Sequence, residues 1–569
     1  MQRRVSDQSG SATTLLLASL LTACGADSSA PSDPALFEDW RDAIVYQLLV
    51  DRFDNGDTAN DVQAGIAPVP GDLARFQGGD WRGVEQRLPY LEQLGVNTLW
   101  ISPVVRNVDR TETQDGYHGY WALDFDAPNP RFGSLEDLRA LVEAAHARNM
   151  RLIIDVVTNH TGRVFNYDLN QDGAISEDEV EPTYASAAPI EAPLIWRACV
   201  DGGEACSTLT PHWTVNGEST ALAQDDFHRR GAGGFGDDSQ LYGDFPTGLR
   251  DLDTSQDSVI DALVETYLGW VAQTDVDGFR VDAVPHIEQP FWAKFGSRLR
   301  EGIAALGKRD FLLLGEVFNR DPAVLASYTD RDELDTVFDF SFKFDLVDRV
   351  LLGGDKPSIA RQVLEGNRSY FREEPQPLGA GLDPWQLRLV FGDNHDVWRI
   401  RGQIDDPYAT DLVMTAVFGA DGIPAVYYGT EQDFKGQGGH ESREVMWTTG
   451  FPTDGTSFKV VQALCALRKR EPALRYGSLR VLYAADYGGL DTESDAGMLV
   501  WQREHDGRRL LVALNGHALQ SSRASFRTDY PEGTPLFDAL RGNQVTTVQA
   551  VGQVSLELPP RGALILAPR

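Results

Sequence analysis

The sequence predicts an α/β protein built on a (β/α)8 TIM barrel, with an inserted domain B after the third strand and a C-terminal antiparallel β-sandwich domain. Three observations predict it. Eight short, largely apolar, strand-like runs follow one another between residues 43 and 428, most of them separated by helical periodicity. One connection, between the third run and a helix beginning near Ser258, is about a hundred residues long, which marks a small domain rather than a plain loop. After about Tyr476 the helical pattern stops, and alternating segments such as 498–502 and 509–514 read as antiparallel strands.

The first strand, 43–50, is a continuous apolar run of the kind a parallel strand buried on both faces needs. Helical periodicity over 84–94 leads to the second strand, 97–101. Ser134 opens a helix with Glu136 and Asp137 in its first turn and apolar positions at Leu138, Leu141, Val142 and Ala145. The third strand is 151–157, and the later ones are 276–282, 311–317, 336–340, 387–392 and 423–428. The domain boundaries that follow are 38–160 and 251–475 for the barrel, 161–250 for the insertion and 476–569 for the C-terminal domain.

At 569 residues the chain is long enough for two or three cores. With 51 Lys+Arg against 85 Asp+Glu, its net charge of -34 repels nucleic acid and anionic membrane, and suits divalent cations or general solubility. Arg3 and Arg4 precede an apolar run, 12–23, too short to span a bilayer, which ends in Leu21-Thr-Ala-Cys24. This resembles a bacterial lipobox: 1–24 is expected to be a lipoprotein-type signal peptide with Cys24 lipidated, and 25–37 a flexible tether. A plain secretory signal is the alternative. Either implies export, where disulfides form. Cys199 and Cys206 flank a Gly-Gly turn and are expected to pair, whereas Cys465 sits in the helical pattern 460–469 as a buried thiol.

Four motifs at strand ends carry the chemistry: Asp155-Val-Val-Thr-Asn-His160, Gly278-Phe-Arg-Val-Asp282, Gly315-Glu316-Val317 and Phe391-Gly-Asp-Asn-His-Asp396. In this order they resemble the signature of the α-amylase family of glycoside hydrolases. Retaining cleavage of a glycosidic bond needs one carboxylate as nucleophile and one carboxylic acid as proton donor. The resemblance assigns these roles to Asp282 and Glu316, with Asp396 holding sugar hydroxyls. Arg280, two residues before Asp282 and so on the same side of its strand, is expected to keep Asp282 ionised. Crowding of the three acids is expected to raise the pKa of Glu316. Asp115-Gly-Tyr-His-Gly-Tyr-Trp121 resembles the family segment whose second Tyr, here Tyr120, stacks on the sugar; His118, His160, His286 and His395 complete a neutral, aromatic-lined pocket.

Three calcium sites are expected. Residues 168–179 fit an EF-hand loop, with Asp168, Asn170, Asp172, the Ala174 carbonyl, Ser176 and Glu179 as donors and Gly173 at the sharp turn. The family resemblance implies a second site joining barrel and insertion, from Asn159, Asp251 and the His286 carbonyl. Asp51-Arg-Phe-Asp-Asn-Gly-Asp-Thr-Ala-Asn-Asp61 with Gly78-Gly-Asp80 resembles a further site of cyclodextrin glucanotransferases, through Asn55, Asp57, Asn60, Asp61, the Gly78 carbonyl and Asp80. The chain departs from the family at Pro285, where many members carry Lys before the His, and that leaves leaving-group preference open.

The resemblance implies an exported, Ca2+-dependent, retaining endo-α-1,4-glucan hydrolase acting on starch-like chains, monomeric, with membrane contact only through the lipid. A transglycosylase using the same carboxylates is the alternative within the family, and a non-catalytic glucan-binding protein the alternative from another class.

Overall fold

The computed structural model describes residues 36–37, 39–197 and 210–569. Cys24, Cys199 and Cys206, with the signal segment and most of the tether, lie outside the described residues. Eight parallel strands form the central sheet: β1 (Val45–Leu48), β2 (Thr98–Ile101), β3 (Arg151–Val156), β4 (Gly278–Val281), β5 (Leu312–Gly315), β6 (Thr336–Val337), β7 (Leu389–Phe391) and β8 (Ile423–Tyr427). Neighbours in sequence pair with one another, all but β6 with β7, and β8 returns to β1. A bridge from Phe338 to Leu389 joins β6 to β7 and closes the barrel.

Strand alternation splits the apolar residues into two layers. Val45, Trp100, Ile153, Leu312, Leu314 and Leu389 fill the barrel interior. Leu99, Leu152, Ile154, Phe279, Val281 and Leu313 face the surrounding helices. Near the C-terminal rim the inward positions become polar: Arg280 on β4 stands directly opposite Asp155 on β3, one step above the apolar layer.

The helix Leu135–His146 begins as its sequence requires. Asp137 accepts a hydrogen bond from the Ser134 backbone N–H at 2.8 Å, and the Ser134 hydroxyl accepts one from the Asp137 N–H at 3.3 Å. The sixth strand is shorter than its apolar run, for a local reason. The Asp339 carboxylate accepts the Phe342 N–H at 2.9 Å, turning the chain out of the sheet into the helical segment Phe342–Leu352 after two residues of ladder.

The insertion does not stand apart from the barrel loops. Its hairpin, His212–Val215 with Glu218–Ala221, extends a sheet begun by Val105–Asn107 and Ala122–Pro128 in the loop after β2. In the C-terminal domain, a six-stranded sheet and the pair Ser522–Arg527 and Gln553–Leu558 enclose a core of Met498, Val500, Leu511, Ala513, Phe526 and Leu556. The intervening Leu499, Trp501, Leu510 and Val512 face the barrel. There the Trp501 indole donates to the Gly419 carbonyl at 2.9 Å, at the end of helix Ala409–Gly419. Cys465 is buried and free, as expected.

Candidate active site

A cavity of about 880 Å³ opens at the C-terminal rim of the barrel, and Asp282, Glu316 and Asp396 line it together with His118, Tyr120, His160, His286 and His395. Rim geometry explains the convergence: β4 and β5, parallel neighbours, end one residue before Asp282 and Glu316, and the loop leaving β7 brings Asp396 to the same mouth of the closed barrel. Arg280, 1% exposed, forms the floor. Its guanidinium reaches Asp155 at 2.9 Å, Asp282 at 2.6 Å and Glu316 at 3.0 Å. One fixed cation thus binds both carboxyl groups assigned to the chemistry.

Burial is the largest influence on Glu316 and raises its pKa to about 7; Arg280 opposes the rise, while Asp282 and Asp396 add to it. Burial also lifts Asp282 above the usual carboxylate range, against the pull of Arg280, so Arg280 does less to keep Asp282 ionised than the sequence suggested. Asp396 behaves oppositely. Burial works against its charge, but His395 at 2.9 Å and Arg443 at 3.1 Å hold it well below the usual range. The site therefore contains a carboxyl that holds a proton near neutral pH beside one that does not.

The remaining wall is neutral and aromatic. Burial lowers His160 and His286 to about 4, which leaves both uncharged. Tyr120 stacks on His395 with ring centroids 5.4 Å apart and donates its hydroxyl to Asp155 at 2.8 Å. Gln47 braces the other nitrogen of His395 at 2.6 Å. Such a surface suits a ligand of hydroxyls and C–H faces.

Several residues here carried no motif. Arg443 reaches Asp396 from 47 residues downstream. Phe235 and Phe318, 73% and 53% exposed, also line the cavity. Phe318, two residues past Glu316, had a positional signal; Phe235 and Arg443 had none.

The three expected calcium loops differ in how well their donors suit a cation. In the Asp51–Asp61 loop the side-chain oxygens of Asn55 and Asn60 are buried with no hydrogen-bond partner, close to Asp61, Asp80 and Gly78. Buried orphan oxygens beside carboxylates are what a hard cation requires, so this donor set fits. Asp57 instead pairs with Arg82 at 2.7 Å, and Asp80 caps the helix Trp81–Gln86. At the barrel–insertion junction, the Asp251 carboxylate meets His228 at 2.6 Å, and the other nitrogen of His228 meets Asp253 at 3.1 Å. Burial disfavours the imidazolium, but those hydrogen bonds outweigh it and push His228 up to about 10. The His228 imidazole thus already engages Asp251; Asn159 lies against His160, and the His286 ring faces the cavity. In the EF-hand-like loop, Glu179 closes a capping box with Ser176, and Asp168 accepts the Gly173 N–H at 3.3 Å. Asn170 and Asp172 are exposed there, and paired flanking helices are absent among the described residues. No group of three or more His, Cys, Asp or Glu among the described residues is arranged to hold a metal ion.

Residues 47–457 match the family described as α-amylase, catalytic domain. The chain belongs to the α-amylase family. It is therefore an enzyme of glycoside hydrolase type. It is 30% identical over 541 residues to an α-amylase of Streptomyces lividans, covering 87% of this chain and 57% of that protein. Similarity to a cyclomaltodextrin glucanotransferase of Klebsiella oxytoca is 28% over 536 residues, covering 86% and 73%. The chain thus spans little more than half of the first relative. Among solved structures, the α-amylase of Geobacillus thermoleovorans complexed with acarbose superposes with a TM-score of 0.69 at 26% identity, covering 93% of this chain and 99% of that one. The α-amylase-family fold accounts for both the closed barrel and the C-terminal sandwich.

Proposed function

We propose that this chain is a retaining, endo-acting α-1,4-glucan hydrolase that cuts starch-like chains through a covalent glycosyl-enzyme. The observation that carries the reading is the Arg280 guanidinium binding Asp282 and Glu316 at once, at the floor of an open, neutral, aromatic-lined cavity. In the first step Asp282 attacks the anomeric carbon while Glu316 gives its proton to the departing glycosidic oxygen. In the second, Glu316 takes a proton from water as that water attacks the same carbon and releases Asp282. The single guanidinium that draws both carboxyls together, at 2.6 and 3.0 Å, supports retention, because inverting enzymes keep theirs roughly 6.5–9.5 Å apart to admit water. Asp396, held as an anion, offers acceptors to sugar hydroxyls.

Calcium belongs to the same proposal. Asn55, Asn60, Asp61, Asp80 and the Gly78 carbonyl would hold it, and its contribution is to rigidify a loop beside the cleft, not to react. Export with a lipid on Cys24 is also proposed, and labelled fatty-acid incorporation lost in Cys24→Ser tests it.

A second reading has one observation in its favour. Phe235 and Phe318 present exposed rings in the cavity that holds Glu316, a surface that also suits an incoming sugar acceptor. Incubation with soluble starch and Ca2+, following reducing ends and product sizes together, separates the two. Hydrolysis gives rapid shortening and linear maltooligosaccharides; cyclic or lengthened products with few new reducing ends assign the chain to glucan transfer. No products at all would overturn both.

A further inference from the structure

Trp398 lies two residues beyond Asp396, and 48% of it is exposed. A large aromatic beside a cavity wall is poorly placed for stability alone, since half of its surface stays in water. Its mounting is nonetheless rigid. The indole rests on the backbone of Gly438, where an added Cβ would come within 2.9 Å of its ring. The next residue, Arg399, is fully buried; its N–H donates to the Gly436 carbonyl at 3.0 Å and its guanidinium pairs with Glu444. Gly439 and His440, which follow Gly438, line the catalytic cavity with Arg443.

The two ends of the cleft can be told apart. Glu316 protonates the leaving oxygen, so Phe318 and Asn319, just beyond it, mark the leaving-group side. Asp396, Arg443 and His440 line the same cavity, and Trp398 adjoins their stretch of wall through Gly438. We infer that Trp398 is a platform for a glucosyl ring on the non-reducing arm of the substrate, beyond the ring held over Tyr120 and Asp396, and that it sets a preference for chains long enough to reach it. The inference rests on the proposed glucan reading and adds a specificity-determining residue to it. A held indole loses little freedom when a sugar face lies on it, and such stacking is worth roughly tenfold in affinity.

The test compares Trp398→Ala and Trp398→Phe with the wild type on maltotriose and maltoheptaose. The expected result is that Trp398→Ala lowers the ratio of kcat/KM for maltoheptaose to that for maltotriose about tenfold, through KM, and that Trp398→Phe restores most of it. In the Asp282→Asn background, Trp398→Ala should weaken maltoheptaose binding by the same factor with the thermal midpoint unchanged. An unchanged ratio, or an equal loss on both substrates, overturns the inference while leaving the glucan reading in place. Wild-type protein that cuts neither substrate and starch overturns that reading, and the inference falls with it.

Discussion

Asp396→Asn removes one negative charge from beside Glu316 while nearly preserving side-chain shape. Glu316 must enter the reaction protonated, so activity is present below its pKa of about 7 and is lost as pH rises through it. Asp396 stays charged throughout that range, because His395 and Arg443 overcome the effect of burial. The rise of Glu316 from 4.5 to about 7 has burial as its largest cause, with Asp282 next among the raising influences and Asp396 after it. Asp396 thus accounts for a minority of the rise. The assay is kcat/KM on maltoheptaose across neutral pH. In Asp396→Asn the alkaline limb should move to lower pH, by on the order of one pH unit or less, each unit being about 1.4 kcal/mol, whatever happens to the height of the profile. An unmoved limb, or one displaced upward, would refute the electrostatic account of the proton donor.

The other predictions concern the neighbours of that pair. Arg280→Met strands three buried carboxylates, Asp155, Asp282 and Glu316, and should cost about 3–5 kcal/mol of stability in addition to activity, read by thermal unfolding. A variant as stable as the wild type would show that the cluster is not held by its cation. Glu316→Gln should slow cleavage of maltooligosaccharides by orders of magnitude and that of a glucosyl fluoride, whose leaving group needs no proton, far less; equal losses would remove Glu316 from the acid role. Calcium at a hundredfold excess over Kd should stabilise the wild type by about 2.7 kcal/mol. The gain should shrink in Asn55→Ala and Asn60→Ala, and an equal gain in all three would place the cation elsewhere.

What was legible in the sequence was what a short stretch of chain encodes. Asp282 and Glu316 directly follow apolar strands and Asp396 follows one by five residues within a recognisable motif, so the local sequence puts all three at the rim, and Arg280 shares the face of Asp282. The sites that depend on pairing across long separations were not legible. Arg443 joins Asp396 from a later loop, and His228 joins Asp251 across the insertion, with no local pattern to announce either. The calcium loops illustrate the same limit. A run of Asp and Asn supplies donors, but whether their oxygens turn to a cation, to a helix cap or to an arginine is settled by neighbours distant in sequence. The shared sheet of insertion and barrel loop was hidden for that reason too, since the ladder between 122–128 and 212–215 crosses more than eighty residues.

The most direct measurement is peptide mapping by mass spectrometry after reaction with 5-fluoro-α-glucosyl fluoride, which forms a glycosyl-enzyme faster than water releases it. The account predicts one added glycosyl group per chain, on the peptide containing Asp282 and absent from Asp282→Asn. A label on a different residue, or continued turnover of starch by Asp282→Asn, would contradict it.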